Sequence, residues 1–144
     1  MKRHATAIWK GALADGKGRI DTQSGALAAQ AYSFKGRFED EEGRSGTNPE
    51  ELLAAAHAGC FAMQLSHFLA ENGTPADRLE AQAVVTVEPD DGGFSVRSTA
   101  ISLTGHVPGI DDATFQELAN KAKTGCPISR ALGAITIELD AKLA

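Results

Sequence analysis

Hydrophobic runs separated by glycine-rich and polar segments predict short strands interrupted by two helices. Strands are expected over 3–10, near 19–22 and over 31–34, because β-favouring residues stand between turn signals there. The polar segment 35–46, which contains three glycines, is predicted to be a loop. Three consecutive strands joined by turns indicate an antiparallel meander.

The longest hydrophobic run opens on a helix-start signal. Asn48 can cap the helix, and Pro49 suits the first helical position, where its missing N–H is unpaired anyway. Thr47 with Glu50 also fits the capping-box spacing, which leaves two registers open for the start. An asparagine–glycine pair ends the run, so the predicted helix covers 49–72.

This helix is apolar around almost its whole circumference, and a helix of that kind is buried on all sides. A chain of 144 residues is too small to bury so long a helix alone. The sequence therefore predicts a homodimer built around it. Small side chains that would let a second backbone approach closely are clustered at Ala54, Ala55, Ala56, Ala58 and Gly59.

The remaining pattern predicts strands over 78–88 and 94–107, joined by a turn. Within the second strand the apolar residues change from even-numbered to odd-numbered positions, which indicates a bulge or bend. A second helix from Asp111 or Asp112 to 125 follows, and the alternating tail 134–142 closes as a strand. The order β-β-β-α-β-β-α-β predicts an α+β fold with largely antiparallel sheets.

Length and charge exclude several function classes. The 144 residues predict a single domain over 1–144. The net charge of −5 gives no support for nucleic acid or an anionic membrane as a partner, because both need a basic face. No secretion signal and no uninterrupted membrane span are expected, so we expect a cytoplasmic protein.

Two cysteines are the main candidates for chemistry. Cys60 lies inside the predicted long helix, and Cys126 precedes a proline at the start of a short helical segment. In a reducing compartment such a pair suggests thiols that are oxidised and reduced in turn, although buried cysteine also serves as a small hydrophobe. Local position favours ionisation of Cys126, at a helix N-cap, whereas Cys60 needs a cation from elsewhere.

The histidines are weaker candidates. His57 stands one turn before Cys60 and can share its face, but packing is the default interpretation. His4, His67 and His106 show no metal-ligand spacing with either cysteine, so no zinc site is predicted.

Several motifs carry a family resemblance. They are G-T-N-P-E-E-L-L-A-A-A-H-A-G-C-F (46–61), K-A-K-T-G-C-P-I-S (121–129), R-F-E (37–39), V-P-G-I-D (107–111) and Trp9. Together they resemble the OsmC/Ohr family, the osmotically inducible and organic-hydroperoxide-resistance thiol peroxidases. Segment 37–39 is more similar to the OsmC branch than to the Ohr branch.

The resemblance implies a cysteine-based peroxidase that reduces organic hydroperoxides to alcohols and uses no metal or cofactor. It assigns peroxide attack to Cys60 and closure of an intramolecular disulfide to Cys126. It further implies that Arg37 stabilises the thiolate and that Glu50 positions this arginine. Arg19 is the alternative cation, because the Ohr branch draws its arginine from that neighbourhood.

The resemblance also implies an OsmC-like α+β fold, with antiparallel sheets packed around a long central helix in an intertwined homodimer. Family analogy favours a dithiol reductant, with dihydrolipoyl groups as the candidate. The alternative function is a noncatalytic redox sensor or apolar-ligand-binding protein of the same fold. The sequence does not rank organic against hydrogen peroxide, and it does not indicate osmotic or oxidative induction.

Overall fold

The computed structural model describes all 144 residues, in ten helices and strands. The chain forms two compact units, Met1–Leu52 and Leu53–Ala144, and the prediction of a single domain stays a prediction. The elements in chain order are β1 (Ala5–Lys10), β2 (Lys17–Thr22), β3 (Gln30–Ser33), α1 (Phe34–Phe38), α2 (Pro49–Glu71), β4 (Arg78–Asp90), β5 (Gly93–His106), α3 (Asp112–Gly125), α4 (Pro127–Ala131) and β6 (Thr136–Leu143).

In the first unit, β1, β2 and β3 form the predicted antiparallel meander. Gly18 of β2 is paired with Trp9 on one side and Tyr32 on the other, and the two aromatic rings lie 5.3 Å apart between centroids. A Cβ atom at Gly18 would collide with the Tyr32 ring. The absence of a side chain there lets the two rings approach each other over the middle strand.

A one-turn helix, α1, replaces part of the segment predicted to be strand and loop. The prediction was wrong over Phe34–Phe38 because Ser33 acts as an N-cap, and its Oγ accepts a 3.0 Å hydrogen bond from the amide of Gly36. The rings of Phe34 and Phe38, four residues apart on one face, lie 5.0 Å apart. This turn carries Arg37.

The start of α2 resolves the two registers that the sequence leaves open. Asn48 is the capping residue, since its Oδ1 accepts a 2.8 Å hydrogen bond from the amide of Glu51. Thr47 instead donates through its Oγ1 to the Glu51 carboxylate at 2.9 Å. The Glu50 side chain is therefore not used in capping.

The middle and end of α2 bury one face only. His57, Phe61, Leu65 and Leu69 recur at four-residue spacing and are fully buried, whereas Met63 is 76% exposed. The single chain thus leaves the other side of α2 less covered, and the predicted burial of that side by a second subunit stays a prediction. By length and composition alone α2 could span a membrane, with 22% of its apolar window buried, and core helices of soluble proteins meet the same criterion.

The second unit contains the predicted hairpin of β4 and β5. Its bulge is confirmed, because Thr86 pairs with Ser98 and the next residue, Val87, pairs with Val96, which leaves Arg97 as the extra residue. The sheets are antiparallel as predicted except for one pair.

That exception is β6, which pairs with β5 in parallel. Parallel strands need a long crossover, and α3 and α4 form it here. One face of α3 packs into the core, since Phe115, Ala119 and Ala122 are fully buried and Leu118 is partly buried. The core of this unit consists of Phe61, Leu65, Leu69, Ile101, Leu103, Val107, Phe115, Ala119, Ala122 and Ala141.

The packing of this core predicts the effect of Gly105→Ala. A Cβ atom at Gly105 would lie 2.8 Å from the Phe115 ring and 3.2 Å from Leu79, so the new methyl group overpacks the core. We expect the free energy of unfolding in urea to fall by about 1–3 kcal/mol. Gly92→Ala is the matched control, because a Cβ atom there meets no atom within 4 Å. Equal stability of the two variants would contradict the described packing.

Candidate active site

The two cysteines, 66 residues apart in sequence, lie side by side in the second unit. Cys60 lies on α2 and Cys126 stands at the N-cap of α4. Both are free thiols, and their Sγ atoms are 2.7 Å apart. A disulfide bond is about 2.05 Å long, so these sulfurs can be joined with only a small movement.

The two sulfurs differ in their access to solvent. Cys126 is fully buried, whereas Cys60 is partly exposed. Cys60 borders an open, mostly apolar cavity of about 490 Å³, whose other lining residues are Met63, Gln64, His67 and Pro127. A small molecule from solvent can therefore reach Cys60, and it cannot reach Cys126 directly.

The two thiols also differ in how readily they ionise, and the less exposed thiol has the lower pKa. Burial, and then the adjacent Cys126, raise the pKa of Cys60. Burial also opposes ionisation of Cys126, but hydrogen bonding from Cys60 and from Ser129 outweighs it, and the pKa of Cys126 is lowered. Hydrogen bonding therefore favours ionisation of Cys126 over ionisation of Cys60.

A buried polar cluster adjoins the cysteines. His57 Nδ1 lies 3.0 Å from Thr99 Oγ1, and its Nε2 lies 2.8 Å from Ser129 Oγ. His57 and Thr99 are fully buried, and Ser129 is 3% exposed. Burial lowers the pKa of His57 from its ordinary value of 6.5, so its ring is neutral.

The sequence did not single out Thr99 or Ser129, and it favoured a packing role for His57. One available signal was the spacing of Cys126 and Ser129. The residue three places after an N-cap directs its amide back at the capping side chain.

The lowered pKa of His57 predicts an acid-sensitive stability. The unfolded chain binds a proton at this residue more readily than the folded chain, so the free energy of unfolding falls as the pH drops below about 6.5. We expect a smaller loss between pH 7.5 and 5.5 in His57→Gln than in the unchanged protein. Urea titrations at both pH values measure this loss of free energy, with a substitution of the exposed His67, His67→Gln, as the control. A loss in His57→Gln as large as that in the unchanged protein would contradict the prediction.

The first unit holds the other two predicted residues in one ion pair. Arg37 on α1 donates from Nη2 to Glu50 Oε1 at 2.5 Å and from Nε to Oε2 at 3.0 Å. The arrangement is the two-bond fork that an arginine makes with a carboxylate. The Glu50 side chain is only 17% exposed and that of Arg37 is 35% exposed, so the pair is partly shielded from solvent.

An apolar cavity of about 270 Å³ lies beside this ion pair in the first unit. Half of its lining residues are aromatic. The Arg37 guanidinium also lies 4.7 Å from the centroid of the Phe38 ring. A cavity with one charged group in an apolar wall suits a molecule with a polar end and an apolar body. Its lining residues are Trp9, Leu13, Tyr32, Ser33, Phe34, Arg37, Phe38 and Pro49.

The alternative cation is placed differently. Arg19 lies on β2 with a side chain 56% exposed, and its Nε is 3.6 Å from Asp21 Oδ2. No group of three or more His, Cys, Asp or Glu side chains converges on a point where a metal ion could bind.

Comparison with known proteins identifies the family. A family model described as OsmC-like protein matches residues 40–140. The chain belongs to the OsmC family. It is 44% identical over 143 residues to the peroxiredoxin OsmC of Escherichia coli strain K12, with 99% of this chain and 98% of that protein covered.

Members of the Ohr branch are also similar. The organic hydroperoxide resistance protein OhrB of Bacillus subtilis strain 168 is 36% identical over 104 residues, which cover 71% of this chain and 74% of that protein. The crystal structure of OhrB from Bacillus subtilis has a TM-score of 0.68 at 29% identity, with 98% of both chains covered. An OsmC-like protein from Mycoplasma pneumoniae, at a TM-score of 0.76 and 15% identity, shares the fold.

These findings confirm the resemblance and the α+β fold predicted from the sequence. The OsmC relative matches at higher identity and over more of the chain than the Ohr relative, in agreement with the branch indicated by segment 37–39. The relatives are named for peroxiredoxin activity and for resistance to organic hydroperoxides. Membership of the OsmC family therefore supports a peroxide-related role of peroxidase type.

Proposed function

We propose that this OsmC family protein is a thiol-dependent peroxidase that reduces organic hydroperoxides to alcohols, with hydrogen peroxide as a further substrate. The observation that carries the proposal is the pairing of a solvent-accessible Cys60 with a buried Cys126 whose Sγ atom is 2.7 Å away. Accessibility suits Cys60 to meet the peroxide, and burial suits Cys126 to meet only Cys60.

The reaction has two steps on the protein. The Cys60 thiolate attacks one peroxide oxygen, an S–O bond forms, the O–O bond breaks, and the alkoxide leaves and takes up a proton to give the alcohol. Cys60 is then a sulfenic acid. The Cys126 thiolate attacks its sulfur, the S–S bond forms and the S–O bond breaks, and hydroxide leaves and is protonated to water. A dithiol reduces the disulfide by exchange and is itself oxidised.

Cys60 needs a positive group near it, since burial raises its pKa. We assign this role to Arg37, which remains charged at any cellular pH, and we assign the orientation of its guanidinium to Glu50. Guanidinium N–H groups directed at the peroxide oxygens would align the peroxide for attack.

The proposal also includes the oligomeric state of the protein and its location in the cell. The exposed apolar side of α2 supports a homodimer, because contiguous exposed apolar surface marks an interaction site. A cytoplasmic location, a single OsmC-like domain over 1–144 and a dihydrolipoyl reductant complete it. Light scattering is expected to give twice the chain mass of 15.0 kDa.

Turnover tests the proposal. Purified protein with dihydrolipoamide and cumene hydroperoxide is expected to consume peroxide catalytically, and the Cys60→Ser variant is expected to consume it at the rate of buffer with dihydrolipoamide alone. Equal rates for the protein and the variant would contradict the proposal that the protein is an enzyme. Parallel assays with hydrogen peroxide and with a monothiol would rank the substrates and reductants.

One observation favours the alternative function, a noncatalytic redox sensor. The raised pKa of Cys60 describes a thiol that reacts slowly unless a cation is brought to it. A sensor would form the disulfide with one equivalent of peroxide and would show no sustained turnover with any dithiol. The turnover assay separates the two functions.

A further inference from the structure

The short helix α4 begins at Cys126 and has little apolar surface to hold it in place. It consists of five residues, Pro127–Ala131, and a helix of that length is not stable alone in water. None of them is among the apolar residues that form or line the hydrophobic core. The one buried residue of α4 is polar, since Ser129 is 3% exposed. The end of α3 fixes Cys126 from one side, through its amide bond to Ala122 at 2.9 Å, and the other side depends on what Ser129 contacts.

Ser129 contacts a histidine of α2. Its Oγ lies 2.8 Å from Nε2 of His57, and both side chains are buried. His57 precedes Cys60 by three positions, about one helical turn. Ser129 follows Cys126 by the same three positions. The two helices thus meet in two contacts one turn apart: the sulfur pair at 2.7 Å and the hydrogen bond at 2.8 Å.

The other ring nitrogen of His57 is held by the sheet. Nδ1 lies 3.0 Å from Oγ1 of Thr99, which is fully buried. Thr99 lies on β5, the middle strand of its sheet, where it is paired with Val85 of β4 and with Ile137 of β6. Core strands are the parts of a fold that open least. The ring therefore connects α4 to a firmly held strand as well as to α2.

We propose that His57 is a positioning residue: by holding Ser129 it anchors α4 to α2 and β5. The anchored helix keeps Cys126 within bonding distance of Cys60. The inference deepens the proposed function, on which it rests for its biological meaning, because the disulfide is the product that this arrangement favours. His57 acts through the position of α4 and takes no part in the transfer of protons or electrons.

Loss of the hydrogen bond should affect the two redox forms differently. A buried imidazole nitrogen without its partner is costly as long as α4 stays in place. The reduced protein can avoid this cost when α4 leaves its place, since α4 contributes no residue to the hydrophobic core. The oxidised protein cannot, because the disulfide holds Cys126 at Cys60. The disulfide should therefore become weaker relative to the two thiols, whereas a fault that acts equally on both forms would leave this balance unchanged.

The equilibrium of the cysteine pair with dithiothreitol measures this balance. Cys60 and Cys126 give up two electrons and two protons as their S–S bond forms, and the cyclic disulfide of dithiothreitol takes them up as its own S–S bond breaks. Ser129→Ala is expected to lower the equilibrium constant for disulfide formation about tenfold. Thr99→Val is expected to lower it by less, and Thr99→Ser, which keeps the hydroxyl, is expected to leave it close to the unchanged value. An unchanged constant in either Ser129→Ala or Thr99→Val overturns the proposal.

Gly105→Ala is the matched control for these variants. A Cβ atom there strains the packing against Phe115 and Leu79 in the same unit without touching the histidine cluster. Its free energy of unfolding is expected to fall, while its disulfide equilibrium is expected to stay unchanged. A fall of the equilibrium constant as large as that in Ser129→Ala would indicate a general structural fault and would overturn a specific role of His57.

Hydrogen exchange in the unchanged, reduced protein is a test that needs no substitution. The amide of Arg130 donates to the carbonyl of Cys126 at 3.0 Å, and the amide of Leu132 donates to Ile128 at 2.9 Å, so both report whether α4 is formed. Exchange much slower than in an unfolded chain is expected at both amides. Exchange at the rate of an unfolded chain would overturn the proposal, because α4 would then be open in the reduced protein and could not hold Cys126.

None of these measurements uses a peroxide, so the two proposals can fail separately. Weaker disulfides in Ser129→Ala and Thr99→Val, in a protein without peroxide turnover, would support the positioning role and contradict the peroxidase. Peroxide turnover in a protein whose disulfide equilibrium ignores both substitutions would contradict the positioning role alone.

Discussion

Replacement of Cys126 by serine is expected to produce a protein that reduces about one equivalent of peroxide and then loses activity. The sulfenic acid formed at Cys60 would have no partner, because Cys126 is the thiol 2.7 Å from it. A partly exposed sulfenic acid that is not resolved is oxidised further to the sulfinic and sulfonic acids. Mass spectrometry after graded additions of cumene hydroperoxide is expected to show two or three added oxygens on Cys60.

The matched variant for this experiment is Cys60→Ser. Its remaining thiol, Cys126, is fully buried and is expected to stay unmodified under the same additions of peroxide. The opposite pattern would reverse the roles of the two cysteines: oxidation of Cys126 in Cys60→Ser, with an untouched Cys60 in Cys126→Ser. That reversal is a sharp alternative, because the ionisation of the two thiols favours it.

Replacement of Arg37 by methionine is expected to slow the oxidation of Cys60 by roughly 10²–10³-fold, the usual effect of removing one well-placed electrostatic donor. Methionine keeps much of the side-chain length and removes the charge and the forked hydrogen bonds to Glu50. The rate of loss of the Cys60 thiol under pseudo-first-order peroxide measures the effect. Arg37→Lys should recover only part of the rate, since an ammonium cannot make the fork.

Arg19→Met is the control for Arg37→Met. It removes an arginine that is more exposed and is paired with Asp21. A rate close to that of the unchanged protein is expected. A large loss in Arg19→Met together with a small loss in Arg37→Met would transfer the thiolate-stabilising role to Arg19, the alternative that the sequence leaves open.

Glu50 should act through Arg37 and not by itself. Glu50→Gln keeps the size of the side chain but weakens the charged fork, so a smaller loss is expected. The double variant should be no slower than Arg37→Met alone, because residues that act as one unit have non-additive effects. Additive losses would mean that Glu50 has a separate function.

The sequence predicts the elements well where a signal is local. The caps of α2 and α3, the bulge in β5 and the N-cap position of Cys126 all follow from residues within a few positions of each other. The errors arise where a distant or cooperative contact decides. The single turn of α1 depends on the Ser33 cap and on the packed rings of Phe34 and Phe38, in a segment whose composition indicates a loop.

The same difference between local signals and distant contacts applies to the candidate site. Motifs and family resemblance pointed to Cys60, Cys126, Arg37 and Glu50, and the structure brings them together in two pairs. The buried contacts of His57 could not be predicted, because its partners Thr99 and Ser129 are 42 and 72 residues away in sequence. A single chain's periodicity reports which face is buried, and it does not report which polar groups meet there.

A disulfide between two thiols that are 66 residues apart in sequence would also change the stability of the protein in each redox cycle. Closing a loop of that length removes conformational freedom from the unfolded chain, which in the chain-entropy account amounts to about 4 kcal/mol of added stability. The oxidised protein should therefore melt at a higher temperature and resist proteases longer than the reduced one. Each turnover would raise the stability of the second unit and then lower it again, so the resistance of the protein to unfolding in a cell would follow how much peroxide it has recently met.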